Sequence, residues 1–285
     1  MGDKFNARPL TRFRTVFRQR SSAMNRQGII SLAILLILIM LSIFAPQIAP
    51  YYPLYAGDNS LQLPSADHIL GTDQIGRDVF SRLLFGGRLT FGIAALALLV
   101  ITIPGTLIGM VAGYSGEIVD RLLVVVLDAL LAFPALLLAL AILAIAGRGI
   151  LQIALAVGIA GMPSYARVVR AKTKELRSRP YIEAAHAVGA NAGWILTRHL
   201  LPTMLRTLIS LGTVSLSWAI LNAAMLAYLG FVGDPSSPEW GAMLASARST
   251  FRVAPWTGIA PGLTIMVTLL CVNLLADAIT QRQKG

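Results

Sequence analysis

Long apolar runs separated by short polar stretches dominate this chain. The first, "IISLAILLILIMLSIFAPQIA", covers about residues 29–49, and others follow at about 89–112, 119–146, 150–170, 205–231 and 257–280. Each approaches or exceeds the roughly 20 residues that carry a helix across a bilayer. The runs are continuous rather than alternating, so they predict helices and not the short strands of a membrane barrel. Three parts result. Residues 1–28 form a basic N-terminal segment, 29–87 a first span and a polar segment, and 88–285 a five-helix core.

Composition agrees with the pattern. Of 285 residues, 56% are hydrophobic and 13% charged, where a soluble protein has about 25% charged. The first run is too long for the h-region of a signal peptide, and no small-residue cleavage site follows at once, so it reads as an uncleaved span. The net charge of +11 invites a nucleic-acid reading, but its distribution rejects one. Lys4, Arg8, Arg12, Arg14, Arg18, Arg20 and Arg26 precede the first span. Arg167, Arg170, Lys172, Lys174, Arg177, Arg179, Arg198 and Arg206 lie around the segment after the fourth, and Arg282 and Lys284 end the chain. By the positive-inside rule both termini are cytoplasmic, and the basic side chains are topology signals and contacts for anionic lipid. The single cysteine, Cys271, has no partner within the chain and reads as a small core residue.

Small residues recur at helix-packing spacing. Gly105, Gly109 and Gly113 step by four along the second span, and Ser215, Ala219, Ala223 and Ala227 along the fifth. Such faces let backbones approach closely in lipid. Pro104, Pro134 and Pro163 are kink candidates. Asp128, Asn222 and Asn273 are polar positions within spans, fitting either a pathway lining or helix–helix hydrogen bonds. Asp128 is expected to find its partner on another helix, because Arg121 lies about 10 Å away along its own.

Catalytic patterns are missing. There is no G-x-x-x-x-G-K-[ST] loop and no H-E-x-x-H, and His68, His186 and His199 are scattered. No metal site is expected, and the chain itself is not expected to hydrolyse ATP.

One polar stretch stands apart from the spans: "EAAHAVGANAGWILTRHLLP", residues 183–202. Pro180 suits a first helical turn and Glu183 complements the helix dipole there. Tyr181, Ala185 and Val188 share one face, with Ala184 beside them, and Gly189 is placed to end the helix in a left-handed conformation. So short a helix is not stable alone and makes sense docked on a partner. The alternative is an idle loop on the headgroups. The stretch resembles the EAA motif of ABC importer permeases. Glu183, Ala184, Ala185, Gly189, Leu201 and Pro202 match, and His199 stands where isoleucine is usual. In that family the segment is a coupling helix that fits a groove on a separate ATPase subunit.

A second stretch narrows the resemblance. "LGTDQIGRDVFSRLLFGGRLTF", 70–91, is similar to the periplasmic signature of the C-type subunits of dipeptide, oligopeptide and nickel permeases. From the residues alone, Gly71 and Gly76 mark turns, while Asp73, Arg77, Asp78 and Arg82 form a local ion network. "SPEWGAML", 237–244, resembles the family's loop before the last span. "NLLADAI", 273–279, resembles its C-terminal motif, with Ala276 in place of glycine and no acidic-proline tail. The resemblance implies an all-α membrane protein of six transmembrane helices with the type I ABC importer (MetI-like) permease fold, N-in and C-in. It implies a homologous B-type permease, two ABC ATPase subunits holding ATP and Mg, and an extracytoplasmic solute-binding protein as partners. The solute stays open among peptides, opines, metal chelates and polyamines. An autonomous channel or secondary transporter is the alternative, and it needs no docking helix.

Overall fold

The structure is a computed structural model and describes residues 10–234 and 236–281, with side chains from Arg26 to Thr280 apart from Pro235. Lys4, Arg8, Arg282 and Lys284 lie outside the described residues, as do the side chains of Arg12, Arg14, Arg18 and Arg20. Every element named among those residues is helical. Helix α1 (Leu10–Ile43) leads through the short α2 (Ala45–Ile48) to an irregular segment. Then come α3 (Val79–Tyr114), α4 (Glu117–Leu131), α5 (Ala135–Ala146) and α6 (Ile150–Arg177). The small α7 (Pro180–Ala187) and α8 (Ala192–Ile195) precede a π-helical turn, Leu196–Leu200, that runs into α9 (Leu201–Tyr228). A short α10 (Trp240–Ala247) and the last span α11 (Trp256–Gln281) complete the chain.

Five of these stretches are long and apolar enough to cross a membrane, and α4 with α5 makes a sixth crossing if taken as one broken span. That break corrects the single span expected over 119–146. The two helices meet at 89°. Pro134 leaves the helical region at φ −53°, ψ 130°, and a proline also disfavours helix in the residue before it. Pro104 and Pro163, by contrast, stay inside α3 and α6. The physical difference is packing. α3 and α6 grip one another along their length, so neighbours hold both helices through the missing hydrogen bond. The outer face of α4, with Ile118, Leu122, Val125 and Val126 exposed, has no such support from the chain.

The α3–α6 grip rests on the glycine steps. A Cβ at Gly109 would lie 2.6 Å from the Ala166 carbonyl oxygen, and one at Gly113 would lie 2.7 Å from that of Arg170. Contact this close maximises dispersion between the backbones, which drives association where water is absent. Around it the main core collects Ile93, Ala97, Ile101, Ile153, Val157, Ala219 and Ala223, all buried. A second cluster joins α1 to α11 and α9 through Leu35, Ile220, Cys271 and Val272.

The helices also overrun the expected spans. α3 begins at Val79 rather than near 89, because Asp78 caps it by accepting the Ser81 amide at 2.7 Å. The division drawn at residues 87 and 88 therefore falls within a helix, as does the one at 28 and 29.

Candidate functional site

Two polar regions sit at opposite ends of the bundle. The first is built from the irregular segment before α3 and the loop before α10. Asp73 organises it. Its carboxylate accepts from the amides of Ile75 (3.1 Å) and Arg77 (3.0 Å) and from Arg77 Nε at 2.7 Å. Arg82 is buried beside it, with Nε 3.6 Å from Asp73 Oδ2. The rest of its guanidinium donates to the carbonyls of Pro53 (3.2 Å), Ser236 (3.1 Å) and Ser237 (3.1 Å). A planar fork with five donors suits a cluster of carbonyls. Arg82 thus ties three separate stretches of chain together. Asp78 does not join this network. It caps α3 and bonds His68 Nδ1 at 2.9 Å. Gly71 and Gly76 have φ of 70° and 81°, as turn glycines do.

The facing loop carries groups that the sequence reading passed over. Glu239 is fully buried, with no cation against it among the described residues. It accepts from Thr90 Oγ1 at 2.8 Å and from the Ala242 amide at 3.0 Å, capping α10. Burial pushes its carboxyl up to about 7. Trp240, also buried, donates to the Leu83 carbonyl at 2.9 Å and meets Phe91 edge to face. Gln74 reaches the Ser246 carbonyl and Ser249 Oγ. The "PEW" of the loop motif held a signal for Glu239: an acid just before a helix is a cap candidate. Between the segment at the start of α3 and α10 with the turn behind it is a cavity of about 260 Å³, lined among others by Asp73, Arg77, Met243 and Ser249.

The second region is the stretch 180–202. α7 starts at Pro180, with Glu183 in its first turn, and Gly189 behind it has φ +83°. Ile182 and Ala185 are buried in the main core. This corrects the expected docking face. Ala185 is turned inward, and the outward face is Tyr181, Ala184 and Val188, all exposed. Spacing alone cannot tell which side of a short helix the bundle covers. His186 on α7 bonds the Tyr114 hydroxyl at 3.1 Å, so the end of α3 touches this helix directly. His199, where the motif usually has isoleucine, packs edge to face on Trp194 at 4.6 Å and beside Tyr181 at 6.4 Å. Its Nε2 is buried and makes no hydrogen bond among the described residues. The Leu201 amide donates to the Leu196 carbonyl, an i→i+5 bond, one residue before Pro202. The widened turn gives room to a proline ring that has no N–H and crowds the preceding turn.

The polar residues within spans separate. Asp128 on α4 pairs with Arg167 on α6. Closer to the α6 C-terminus, Asp120 holds both Arg170, 2.8 Å from Nη2, and Lys174; this cluster was not singled out from the sequence. Asn222 bonds the Trp218 carbonyl of its own helix at 2.9 Å, not a neighbouring helix. Asn273 is exposed on α11. No group of three or more metal-ligating side chains occurs among the described residues.

A bundle of apolar spans with a compact polar loop region at one end and a small exposed helix at the other is the build of a multi-span helical membrane protein. The chain belongs to the family described as "Binding-protein-dependent transport system inner membrane component", which it matches over residues 105–285. Residues 11–64 also match the N-terminal transmembrane domain of oligopeptide transport permease C. It is 38% identical to the dipeptide transport system permease protein DppC of Alkalihalophilus pseudofirmus, covering 94% of this chain and 88% of the relative. It is 39% identical to the glutathione transport system permease protein GsiD of Pectobacterium atrosepticum, covering 86% and 82%. A solved chain of the MetNI methionine ABC transporter, in an inward-facing conformation, shares the fold with a TM-score of 0.58 at 18% identity, covering 70% of this chain and 95% of its own. The protein is thus a multi-pass inner-membrane permease subunit of an ABC importer, a transport component and not an enzyme.

Proposed function

We propose that this permease carries short peptides or related amino-acid conjugates across the inner membrane. The observation that carries the reading is the likeness over nearly the whole chain to relatives named for dipeptide and glutathione transport. Both kinds of solute are small, polar and bear amino and carboxylate groups. A homologous B-type permease supplies the other half of the path. An extracytoplasmic binding protein delivers the solute to the loop region around Asp73, Arg82 and Trp240. Two ATPase subunits, holding ATP and Mg, engage α7.

Geometry supports α7 as the coupling element. It is short, exposes Tyr181, Ala184 and Val188, and is fixed to the bundle by Ile182 and Ala185 on its other side. A push on the exposed face passes to α3 through His186 and Tyr114 and to α6 through the Arg179–Pro180 junction. ATP binding supplies the free-energy difference between the two access states, and α7 transmits it.

The test replaces Ala184 with Trp. The exposed side chain leaves the bundle's packing untouched, so the variant reaches the membrane at normal abundance. Uptake and the ATP hydrolysis stimulated by solute-loaded binding protein are expected to fall together. Unchanged stimulation and uptake overturn the coupling assignment.

A further inference from the structure

Two arginines at the Asp73 end of the bundle are used unequally. Arg82 has every side-chain nitrogen engaged. Its Nε faces Asp73, and its terminal nitrogens donate to the carbonyls of Pro53, Ser236 and Ser237. Arg77 is only 7% exposed, yet of its guanidinium just Nε is firmly bonded, to Asp73 at 2.7 Å. Its Nη1 lies 3.4 Å from the Ser236 carbonyl oxygen, a long contact, and its Nη2 has no partner among the described residues. Largely buried donors left unused are costly until something accepts from them. Both arginines line the cavity of about 260 Å³ between the start of α3 and α10.

The cavity has a floor and a mouth. Val79, Met243 and Thr257 in its lining are buried, while Gln74, Ile75 and Ser249 are exposed. Among the described residues its charged lining is Asp73, Arg77 and Arg82, which leaves one positive charge over. Asp234 lies near both arginines but outside this lining, and its carboxylate accepts from Ser236. Across the mouth, Gln74 Nε2 donates to the Ser246 carbonyl and, at 2.8 Å, to Ser249 Oγ. The Ser249 hydroxyl rotates and can itself donate once that amide moves away. The turn behind α10 adds Arg248 and Arg252, both exposed and with no carboxylate against them among the described residues. Ile75 and Phe251 beside them are exposed apolar side chains.

Resting on the delivery reading above, we propose that this cavity receives an aspartate or glutamate side chain of the extracytoplasmic binding protein. The incoming carboxylate displaces the Gln74 amide from the mouth. It accepts from the unused terminal nitrogens of Arg77 and from the Ser249 hydroxyl, and bonds of this charge-assisted kind are the strong ones. Ile75 and Phe251 meet the surface around the acid and keep water from it, as the surround of an interface hot spot does. Arg248 and Arg252 draw in an acidic partner face before contact. The floor decides against the transported solute as occupant. A solute in transit needs a way through the bundle, and this cavity ends on Val79, Met243 and Thr257.

The experiment uses the complete importer in nanodiscs. It measures the ATP hydrolysis stimulated by the dialanine-loaded binding protein as the concentration of that protein is raised. Arg77→Met removes the free donors. Ser249→Trp plugs the mouth from an exposed position and leaves the Asp73 network untouched. Each is expected to raise the half-saturating concentration about tenfold, the loss of one charge-assisted hydrogen bond, while the rate at saturation holds. Arg248→Ala combined with Arg252→Ala is expected to slow association and weaken its dependence on salt. The surface acids of the binding protein are then changed to amides one at a time. One of them is expected to reproduce the Arg77→Met loss and to add nothing to it when the two are combined. An unshifted half-saturation in Ser249→Trp, or additivity of every such acid with Arg77→Met, overturns the proposal. A loss confined to the saturated rate, and absent when dialanine amide replaces dialanine, also overturns it, because the carboxylate is then the solute's. If the binding protein does not stimulate the unaltered importer, the delivery reading fails and the assignment of the cavity falls with it.

Discussion

Three residues show how much can hang on one side chain here. Glu239 is a fully buried acid with hydrogen bonds and, among the described residues, no cation against it. Its folded value of about 7 lies above the ordinary 4.5, so the folded state holds the proton more tightly than the unfolded one. The stability this contributes is full below about 4.5 and is lost as pH rises through about 7. The difference corresponds to as much as roughly 3 kcal/mol. Thermal unfolding of the purified protein in detergent is expected to move to lower temperature between pH 5 and pH 8, and Glu239→Gln is expected to flatten that dependence. Parallel pH profiles for the two proteins count against a buried titrating acid. Gly189 is a different case. At φ +83° a Cβ there meets no atom within 4 Å, so Gly189→Val costs only backbone strain, about 1–2 kcal/mol. Membrane abundance should hold while coupled uptake falls. His199 shows a departure from a motif acquiring a use: an imidazole fills the gap between Tyr181 and Trp194.

At the scale of elements, the bundle is held by close backbone contact and by a few charges of unequal weight. Gly109→Leu drives a side chain into the Ala166 carbonyl. It is expected to destabilise by more than the 1–3 kcal/mol usual for overpacking, read as loss of thermal stability and membrane yield. Gly92, where a Cβ meets nothing within 4 Å, is the matched control and should accept alanine. Charges divide the same way. Asp120→Asn leaves the partly exposed Arg170 and Lys174 without their carboxylate and is expected to cost about 1–3 kcal/mol. Arg121→Ala removes a pair on a fully open face and is expected to change stability by less than about 0.5 kcal/mol. Thermal unfolding of the two variants side by side checks the order. The α4–α5 elbow belongs here too. Proline is necessary for it but not sufficient, since Pro104 and Pro163 leave their helices whole. Neighbouring helices decide which proline becomes a break.

For the whole molecule, orientation is the property on which the rest depends. Six crossings and the basic residues around 167–206 place α7 in the cytoplasm and the Asp73 region outside. In a Cys271→Ser background, Asn59→Cys should be labelled by an impermeant reagent in intact cells, and Arg177→Cys only after permeabilisation. The opposite pattern reverses the orientation and removes α7 from reach of any ATPase.

The sequence by itself determined the class of fold, the approximate positions of the spans, though neither the elbow nor the overrun of α3 and α6, and the glycine face of α3. These follow from local quantities: the length of an apolar run, the spacing of small residues, the chemistry of a proline or a glycine. It also carried the 183–202 stretch as a short capped helix, because Pro180, Glu183 and Gly189 each act within a turn or two of chain. What it left undecided depends on which groups meet across the bundle. Ala185 faces inward because Ile182 beside it is buried in the core. Asp78 turns to a helix cap and His68 while Asp73 takes both arginines. Glu239 becomes a buried acid because Thr90, nearly 150 residues earlier, arrives at the same point. Burial, the partner of a charge and the side of a helix that is covered are properties of several segments at once, and only the tertiary structure sets them.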